Sequence, residues 1–536
     1  MAFDWLIRGA TLVDGSGAPA RPADVAIAGE RIAAVGRLPS SAEAARVLDA
    51  SGRHLCPGFV DIHSHSDFTL MLNRPASSAL RQGVTTEVVG NCGISFAPAS
   101  GDGVRAMMPR YLHRLPIDWR GFGDYLSRLA TGGLAENVAH LVGNGAVRLT
   151  VMGFADRTAT ADELARMEQL VEEAMASGAI GLSAGLEYPP GNLASRDELV
   201  ALCRVVARHG GLFAVHMRNQ DAGYLGAVAE AIEIAERSGA RLQISHLPPH
   251  RDTAPPGAAE SAIGLIRPAQ ARGVEISFDV HPYLWGLTFP TALLPPGALE
   301  GGPFRLIERL GDPDFRRAVR DYPNALPQYL RRGQPEKIVL RYAERSADFV
   351  GKSVAEIADA LGVDPYEAVF ELLRAEGEGL AGMMWITELV DEPDLEYLLQ
   401  QPECFVASDG MALTTDGPLA DVAYHPRCFG WTARLLERYV REKRLLTLPE
   451  AVAKMTARPA AKCGLGGRGV VREGARADLV VLDASAIHDN ATYQRPNAYP
   501  SGVSAVFVNG ELVVADGRQR DVRPGEVIRA ASRAER

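Results

Sequence analysis

Eight short apolar runs, with helical stretches between several of them, restrict the folds open to this chain more than any other feature. They occupy residues 55–63, 84–91, 137–143, 179–187, 212–216, 241–246, 274–281 and 404–409. Ala161 to Ser177 has apolar positions at helical spacing behind a Thr160/Glu163 capping-box pattern. Ser195 with Glu198 opens a further helix that runs to about Arg208. Eight strand–helix units predict an α/β chain built on a (β/α)8 TIM-like barrel, in which functional groups gather at the carboxyl ends of the strands. The interval 282–403 is too long for one crossover. It reads as an insertion over the active-site face, placed to act as a lid.

The flanks have another texture. Between residues 3 and 48, short alternating segments are bounded by Gly, Pro or Asp: Trp5 to Gly9, Thr11 to Gly15, Asp24 to Gly29 and Arg31 to Gly36. This is the pattern of antiparallel strands with tight turns. Asp478 to Asp483 and Ser504 to Val514 resemble them, and Asn509-Gly510 is a hairpin signal between two apolar runs. Neither tail holds enough strands for a core. The expectation is one small β-sandwich domain made from residues 1–54 and 465–536, with the barrel at 55–464.

Composition narrows the setting. A 536-residue chain that is 47% hydrophobic and 23% charged is globular rather than disordered. A formal charge of −10 argues against nucleic-acid or anionic-membrane partners. The first residues show no basic segment followed by an apolar one, and no uncharged apolar run of about 18 residues occurs, so a cytoplasmic protein is expected. Six scattered cysteines do not make a disulfide framework.

Metal-ligand residue types fall at the strand ends. Successive strand side chains point to opposite faces, so His63 and His65 project together past the first strand. Cys92 follows the second strand, His216 the fifth, His246 the sixth and Asp409 the eighth. Four histidines, one cysteine and one aspartate at one end of a barrel are zinc-ligand types.

With these residues in place, the chain resembles the amidohydrolase superfamily, and within it the N-acyl-D-amino-acid deacylases (D-aminoacylases). The resemblance rests on Pro57 to His65, Gly90-Asn91-Cys92-Gly93, His216-Met217-Arg218-Asn219, Ile244-Ser245-His246, Ser408-Asp409-Gly410, His425-Pro426-Arg427 and Ala477 to Val480. It spans essentially the whole chain. It implies a metal-binding barrel with a β-sandwich from both termini, one or two Zn2+ ions held by His63, His65, Cys92, His216 and His246, and Asp409 as ligand and catalytic carboxylate. It also assigns Arg427 and Tyr283 to the carboxylate of the substrate, an N-acyl amino acid or related small amide, and Tyr188 to the pocket wall.

A lysine bridge between two metals is ruled out by composition: the five lysines begin at Lys337, so none lies in the first seven strands. Cys92 as thiolate is the chosen bridge, with Glu187 as the alternative; Glu187 otherwise contacts substrate or is a solvated strand-end carboxylate. Zn2+ lowers the pKa of a bound water to about 7 and polarises a carbonyl, and Asp409 is placed to move the proton to the leaving amine. Two departures from the family pattern bear on carboxylate recognition. Leu247-Pro248 stands where a lysine is common two residues after the sixth-strand histidine, and His281 replaces a common tyrosine. His250 and Arg251 are the candidates to compensate, or else ordinary loop residues.

Two competing motifs fail on context. Gly181-Leu182-Ser183-Ala184-Gly185 matches a nucleophile elbow, but Tyr188-Pro189-Pro190-Gly191 prevents the helix that motif needs. Gly464 to Gly469 matches a dinucleotide fingerprint, yet follows a helix-like segment where a strand is required. The main expectation is zinc-dependent hydrolysis of an N-acyl-D-amino acid. The alternatives are another amidohydrolase activity, on cyclic amides, imides or dipeptides, and a non-catalytic barrel.

Overall fold

The computed structural model describes residues 3–98, 112, 115, 117–322 and 325–530. Residues 1–2 and 531–536 of the expected terminal domain, and 323–324 of the long interval, lie outside the described set.

Eight parallel strands form the barrel, in spatial order Phe59–Asp61, Val84–Val89, Asn137–Gly143, Gly181–Gly185, Leu212–His216, Arg241–Ile244, Ile276–Val280 and Cys404–Val406. They are called the first to eighth barrel strands below. The ring closes just beyond the strand ends: the Asp409 N–H donates to the His63 carbonyl at 2.8 Å, and the His65 N–H donates to the Gly410 carbonyl at 2.7 Å. Closure therefore fixes His63, His65 and Asp409 relative to one another through the backbone. Helices cover the outside, and the Thr160 capping box and the Ser195 cap form as their residues demand.

The apolar run 55–63 is two strands in different sheets. His54–Pro57 pairs with Leu479–Leu482 of the terminal sheet, whereas Phe59–Asp61 opens the barrel. Gly58 makes the transfer possible, because a Cβ there would sit 2.2 Å from Thr85 Oγ1.

Strands from both ends of the chain form one nine-stranded sheet. Trp5 and Phe507 lie on strands three places apart in that sheet, about 14 Å if it were flat. Their rings are 5.2 Å apart, so the sheet curls over a core of Ile7, Val25, Leu55, Leu479 and Val481. Two details differ from a plain antiparallel meander. Phe3–Leu12 is one strand with an irregularity between Ile7 and Ala10, where Gly9 has φ +71°, and Ala44–Asp49 joins it in parallel after the chain crosses back through residues 37–43. Near the C-terminus, Val527–Ile528 leaves this sheet and pairs with the third barrel strand.

Between the seventh and eighth barrel strands, the long interval builds its own three-stranded antiparallel sheet, Trp285–Thr288, Met384–Glu388 and Val339–Tyr342, among short helices. No helix among the described residues is long and apolar enough to cross a membrane.

Candidate metal centre and active site

At the carboxyl end of the barrel, ligand atoms form two groups in which all atoms lie within 4.8 Å of one another: His63, His65, Cys92 and Asp409, and Cys92, His216 and His246. Cys92 belongs to both. His63 Nε2 lies 3.3 Å from Cys92 Sγ and 3.3 Å from Asp409 Oδ1, and His65 Nε2 also lies 3.3 Å from Asp409 Oδ1.

Carboxylates fix the tautomers of two of the histidines. Asp279 Oδ1 accepts from His63 Nδ1 at 3.0 Å, which leaves the Nε2 lone pair facing Cys92 and Asp409. Glu187 Oε2 accepts from His216 Nε2 at 3.0 Å, so the lone pair of that ring is on Nδ1, which is buried without a hydrogen-bond partner. An orphaned imidazole lone pair beside a thiol, in a set of N, S and O donors, is the environment of a zinc-type ion. The residues present fit a divalent metal.

Electrostatics point the same way. Burial pushes the Cys92 thiol up, but the charge of His63 and the ring nitrogens of His216, His246 and His63 gathered round the sulfur outweigh it and hold the group well below its usual range. Burial likewise opposes ionisation of Asp409, and Arg427, His63 and His65 more than compensate. His65 and His216 rise to about 9 against their own burial, because Asp409 and Cys92 face the first, and Cys92 and Glu187 the second. An anion set that draws protons onto imidazoles also favours a dication, which would displace those protons.

Cys92, His246 and Asp409 carry left-handed backbone, with φ of 52°, 31° and 48°. Around Cys92 the chain passes so close to its neighbours that a Cβ on Gly90 would lie 2.2 Å from the Leu141 carbonyl, and one on Gly93 2.5 Å from the Gly185 nitrogen. The Gly-Asn-Cys-Gly stretch is thus a tight turn that aims the thiol inward.

The donors open into a cleft of about 980 Å3, counted out to its mouth. His65, Cys92, Glu187, Tyr188, Asp409 and Arg427 all line it. The Tyr188 ring packs 4.6 Å from that of His216, and its hydroxyl lies 3.2 Å from Thr288 Oγ1. Arg427 Nη1 meets Asp409 Oδ2 at 2.9 Å, so the arginine holds the carboxylate. Tyr283 is not among the lining residues; its hydroxyl donates to Asp489 at 2.7 Å and its ring packs on His425. His281 does line the cleft, and burial with the nearby Arg427 charge lowers it to about 3, leaving a neutral imidazole.

Of the two compensating candidates, His250 lines the cleft and binds Asp221 Oδ1 through Nδ1 at 2.9 Å. Arg251 points away, into ion pairs with Glu388 and Asp391 at 3.0 Å each. The Gly181–Gly185 segment is the fourth barrel strand, and Ser183 is buried in it, accepting from the Gly93 N–H at 3.0 Å. Gly464, φ +68°, caps the helix Ala457–Cys463, so the glycine-rich stretch after it is a helix stop.

Asp279 was not foreseen as a site residue. Besides His63 it accepts from the His246 N–H at 2.8 Å and from Gln243 Nε2 at 2.8 Å. Its signal in the sequence is slight: one acidic residue inside the otherwise uncharged run Ile276–Val280.

With this geometry in view, comparison with known proteins gives consistent matches. A family model described as amidohydrolase family matches residues 46–279 and 307–514. The chain is 36% identical to N-acyl-D-glutamate deacylase of Alcaligenes xylosoxydans xylosoxydans over 529 residues, covering 98% of this chain and 96% of the relative. It is 34% identical to D-aminoacylase of the same organism over 513 residues, covering 95% and 94%. The crystal structure of N-acyl-D-glutamate deacylase from Bordetella bronchiseptica, complexed with zinc and a phosphonate inhibitor that mimics the tetrahedral intermediate, superposes with a TM-score of 0.81 at 32% identity, covering 99% of this chain and all of that one.

Proposed function

The chain belongs to the amidohydrolase family, within its N-acyl-D-amino-acid deacylase branch, and on that premise we propose that it releases a D-amino acid from an N-acyl-D-amino acid by metal-dependent hydrolysis. The observation that carries this reading is the pair of histidines, His63 and His216, whose ring N–H groups donate to Asp279 and Glu187 so that their other nitrogens face Cys92.

The proposed ligands are His63, His65, Cys92 and Asp409 for one Zn2+, and Cys92, His216 and His246 for a second, with the Cys92 thiolate shared. Bound zinc would polarise the scissile carbonyl and bring the pKa of a water to about 7. Asp409, aligned by Arg427, accepts the proton of the attacking water and returns it to the leaving nitrogen, since an amide nitrogen departs as an amine only when protonated. Glu187 sets the tautomer of His216, and Tyr188 walls the cleft. The α-carboxylate of the substrate falls to Arg427 and to His250, whose second ring nitrogen has no hydrogen-bond partner among the described residues. Tyr283 supports this region through Asp489 and His425 rather than by direct contact.

The terminal sheet is proposed as a domain separate from the barrel, and the 282–403 insertion as the roof of the cleft. A reducing cytoplasmic setting is part of the proposal, supported by six cysteines that are all free and buried. The net charge of −10 supports a small-molecule partner over nucleic acid.

The test couples metal analysis of purified protein to a panel of N-acyl D- and L-amino acids, with free amine as readout. Bound zinc and D-selective release are expected. Hydrolysis confined to L-isomers, or none at all in zinc-loaded protein, would overturn the assignment.

A further inference from the structure

Two loops at the carboxyl end of the barrel are tied together beside the metal donors. The Gln220 carbonyl, after the fifth strand, accepts the His250 N–H at 2.8 Å, and Gln220 Nε2 donates to the His246 and Pro248 carbonyls at 2.8 and 3.0 Å. The next residue, Asp221, accepts on Oδ1 from His250 Nδ1 at 2.9 Å and from the Thr253 hydroxyl at 2.6 Å. His250 is thereby fixed to the same backbone that carries His246.

Asp221 has no exposed surface, and its Oδ2 is buried without a hydrogen-bond partner. A carboxylate taken out of water is strongly disfavoured unless a charge neutralises it. Among the described residues, His250 is the one cation within ion-pair distance of Asp221. Burial and the His216 charge lower His250, but Asp221 and Glu187 outweigh them and hold the ring above its ordinary value. A charged imidazole donates from both nitrogens. Nδ1–H goes to Asp221, and Nε2, which has no partner among the described residues, is left for the cleft that His250 lines. Were the ring neutral, the bond from Nδ1–H would leave a lone pair on Nε2, and that lone pair would repel an anion.

Outside the metal donors, the other cations of the cleft are already paired, neutral or absent. Arg427 Nη1 is bonded to Asp409, His281 is neutral, and neither a lysine nor a second arginine lines the cleft among the described residues.

We propose that Asp221 and Thr253 are positioning residues for the hydrolysis, holding His250 as an imidazolium whose Nε2–H anchors the carboxylate of the substrate. The proposal rests on the deacylase reading above and deepens it by naming what charges and aims His250.

The experiment takes the zinc-loaded full chain and the N-acetyl-D-amino acid that it turns over fastest, and uses the corresponding N-acetyl-D-amino acid amide as a competitor. The amide lacks the anion and keeps the rest of the substrate. His250→Gln should raise KM for the acid about tenfold or more, the scale of a lost charge-assisted bond, with a smaller change in kcat and with Ki of the amide within about threefold of its original value. Asp221→Asn should do the same, because an asparagine oxygen accepts from Nδ1–H without charging the ring. Thr253→Ala should raise KM for the acid by less, and Thr253→Ser, which keeps the hydroxyl, should restore it. A purely structural role would instead move kcat, zinc content and amide binding together. An unchanged KM for the acid in His250→Gln or in Asp221→Asn, or a KM that rises in step with Ki of the amide, would overturn the proposal. Absence of turnover on every N-acyl-D-amino acid in the unaltered protein would remove the deacylase reading, and this inference with it.

Discussion

Replacing Asp279 separates a structural part from a metal-binding part, because the carboxylate touches His63, the His246 backbone and Gln243 at once. In Asp279→Asn the amide oxygen can take the place of Oδ1 and accept from His63 Nδ1 and the His246 N–H. Its NH2 then faces Gln243 Nε2, and the conflict resolves if the Gln243 amide turns over, because Ser277 Oγ now donates to Gln243 Oε1 at 2.6 Å and its hydroxyl can accept instead. Three bonds to a charged acceptor become bonds between neutral groups. At about 1.5–3 kcal/mol for the former and 0.5–1.5 for the latter, the loss is about 3 kcal/mol. Asp279→Ala strands three buried donors and should cost about 4 kcal/mol or more. Loss of the carboxylate behind a ligating histidine should also weaken metal binding about 10- to 100-fold in both variants. Denaturant unfolding of metal-free protein measures the first effect, and metal retention against graded chelator measures the second. Asp279→Asn with wild-type metal retention would refute the argument that this carboxylate orients His63, and equal stability of the two variants would refute the hydrogen-bond accounting.

Three further outcomes follow from the same geometry. Asp409→Asn should lower kcat by about 10²- to 10⁴-fold while most bound zinc is retained, measured by turnover and metal content on the same sample. Cys92→Ala should lower zinc content more than His216→Ala does, because Cys92 belongs to both ligand groups and His216 to one; equal stoichiometry in the two variants would remove the shared thiolate. His140 is fully buried in the third barrel strand, and burial lowers it to about 4 from 6.5 although its Nδ1 donates to the Leu141 carbonyl. The unfolded chain then binds more protons between those values, so this group contributes stability that is complete above pH 6.5 and is lost as pH falls through 4. In metal-free protein the loss should be about 3 kcal/mol, and His140→Gln should abolish that share of the acid sensitivity in unfolding measurements at pH 7 and pH 4.5.

The barrel and its donor set were legible because each strand is a separate apolar run and each donor stands where such a run ends. Other features depend on partners remote in sequence. Nothing local in residues 55–63 shows that the chain changes sheets at Gly58, since the reason is the approach of Thr85. The pairing of Arg427 with Asp409 likewise follows from the helix after the eighth strand folding back over the cleft. Asp279 was hidden because one carboxylate inside a strand gives no hint of which residues will crowd around it. The apolar side of the cleft was hidden in the same way, as Leu287 and Met384, which both line it, meet only through the antiparallel pairing of Trp285–Thr288 with Met384–Glu388.

Backbone strain divides the labour between barrel and insertion. Cys92, His246 and Asp409 each occupy a left-handed conformation that costs an ordinary residue about 1–2 kcal/mol, and all three lie just past strand ends. The barrel sustains this because it over-determines the positions: the ring closes through the Asp409 N–H, the Asp279 carboxylate holds the His246 N–H, and Gly90 and Gly93 let the Cys92 turn press against the third and fourth strands. A donor that moves must therefore break these backbone contacts as well: barrel closure for Asp409, the Asp279 bond for His246 and the tight turn for Cys92. None of the cleft-lining residues Leu287, Phe289, Met384, Leu389 or Val390 shares that constraint, since none has a positive φ and all belong to the insertion. A side chain can therefore be replaced there without disturbing the backbone that carries His63, Cys92, His246 and Asp409.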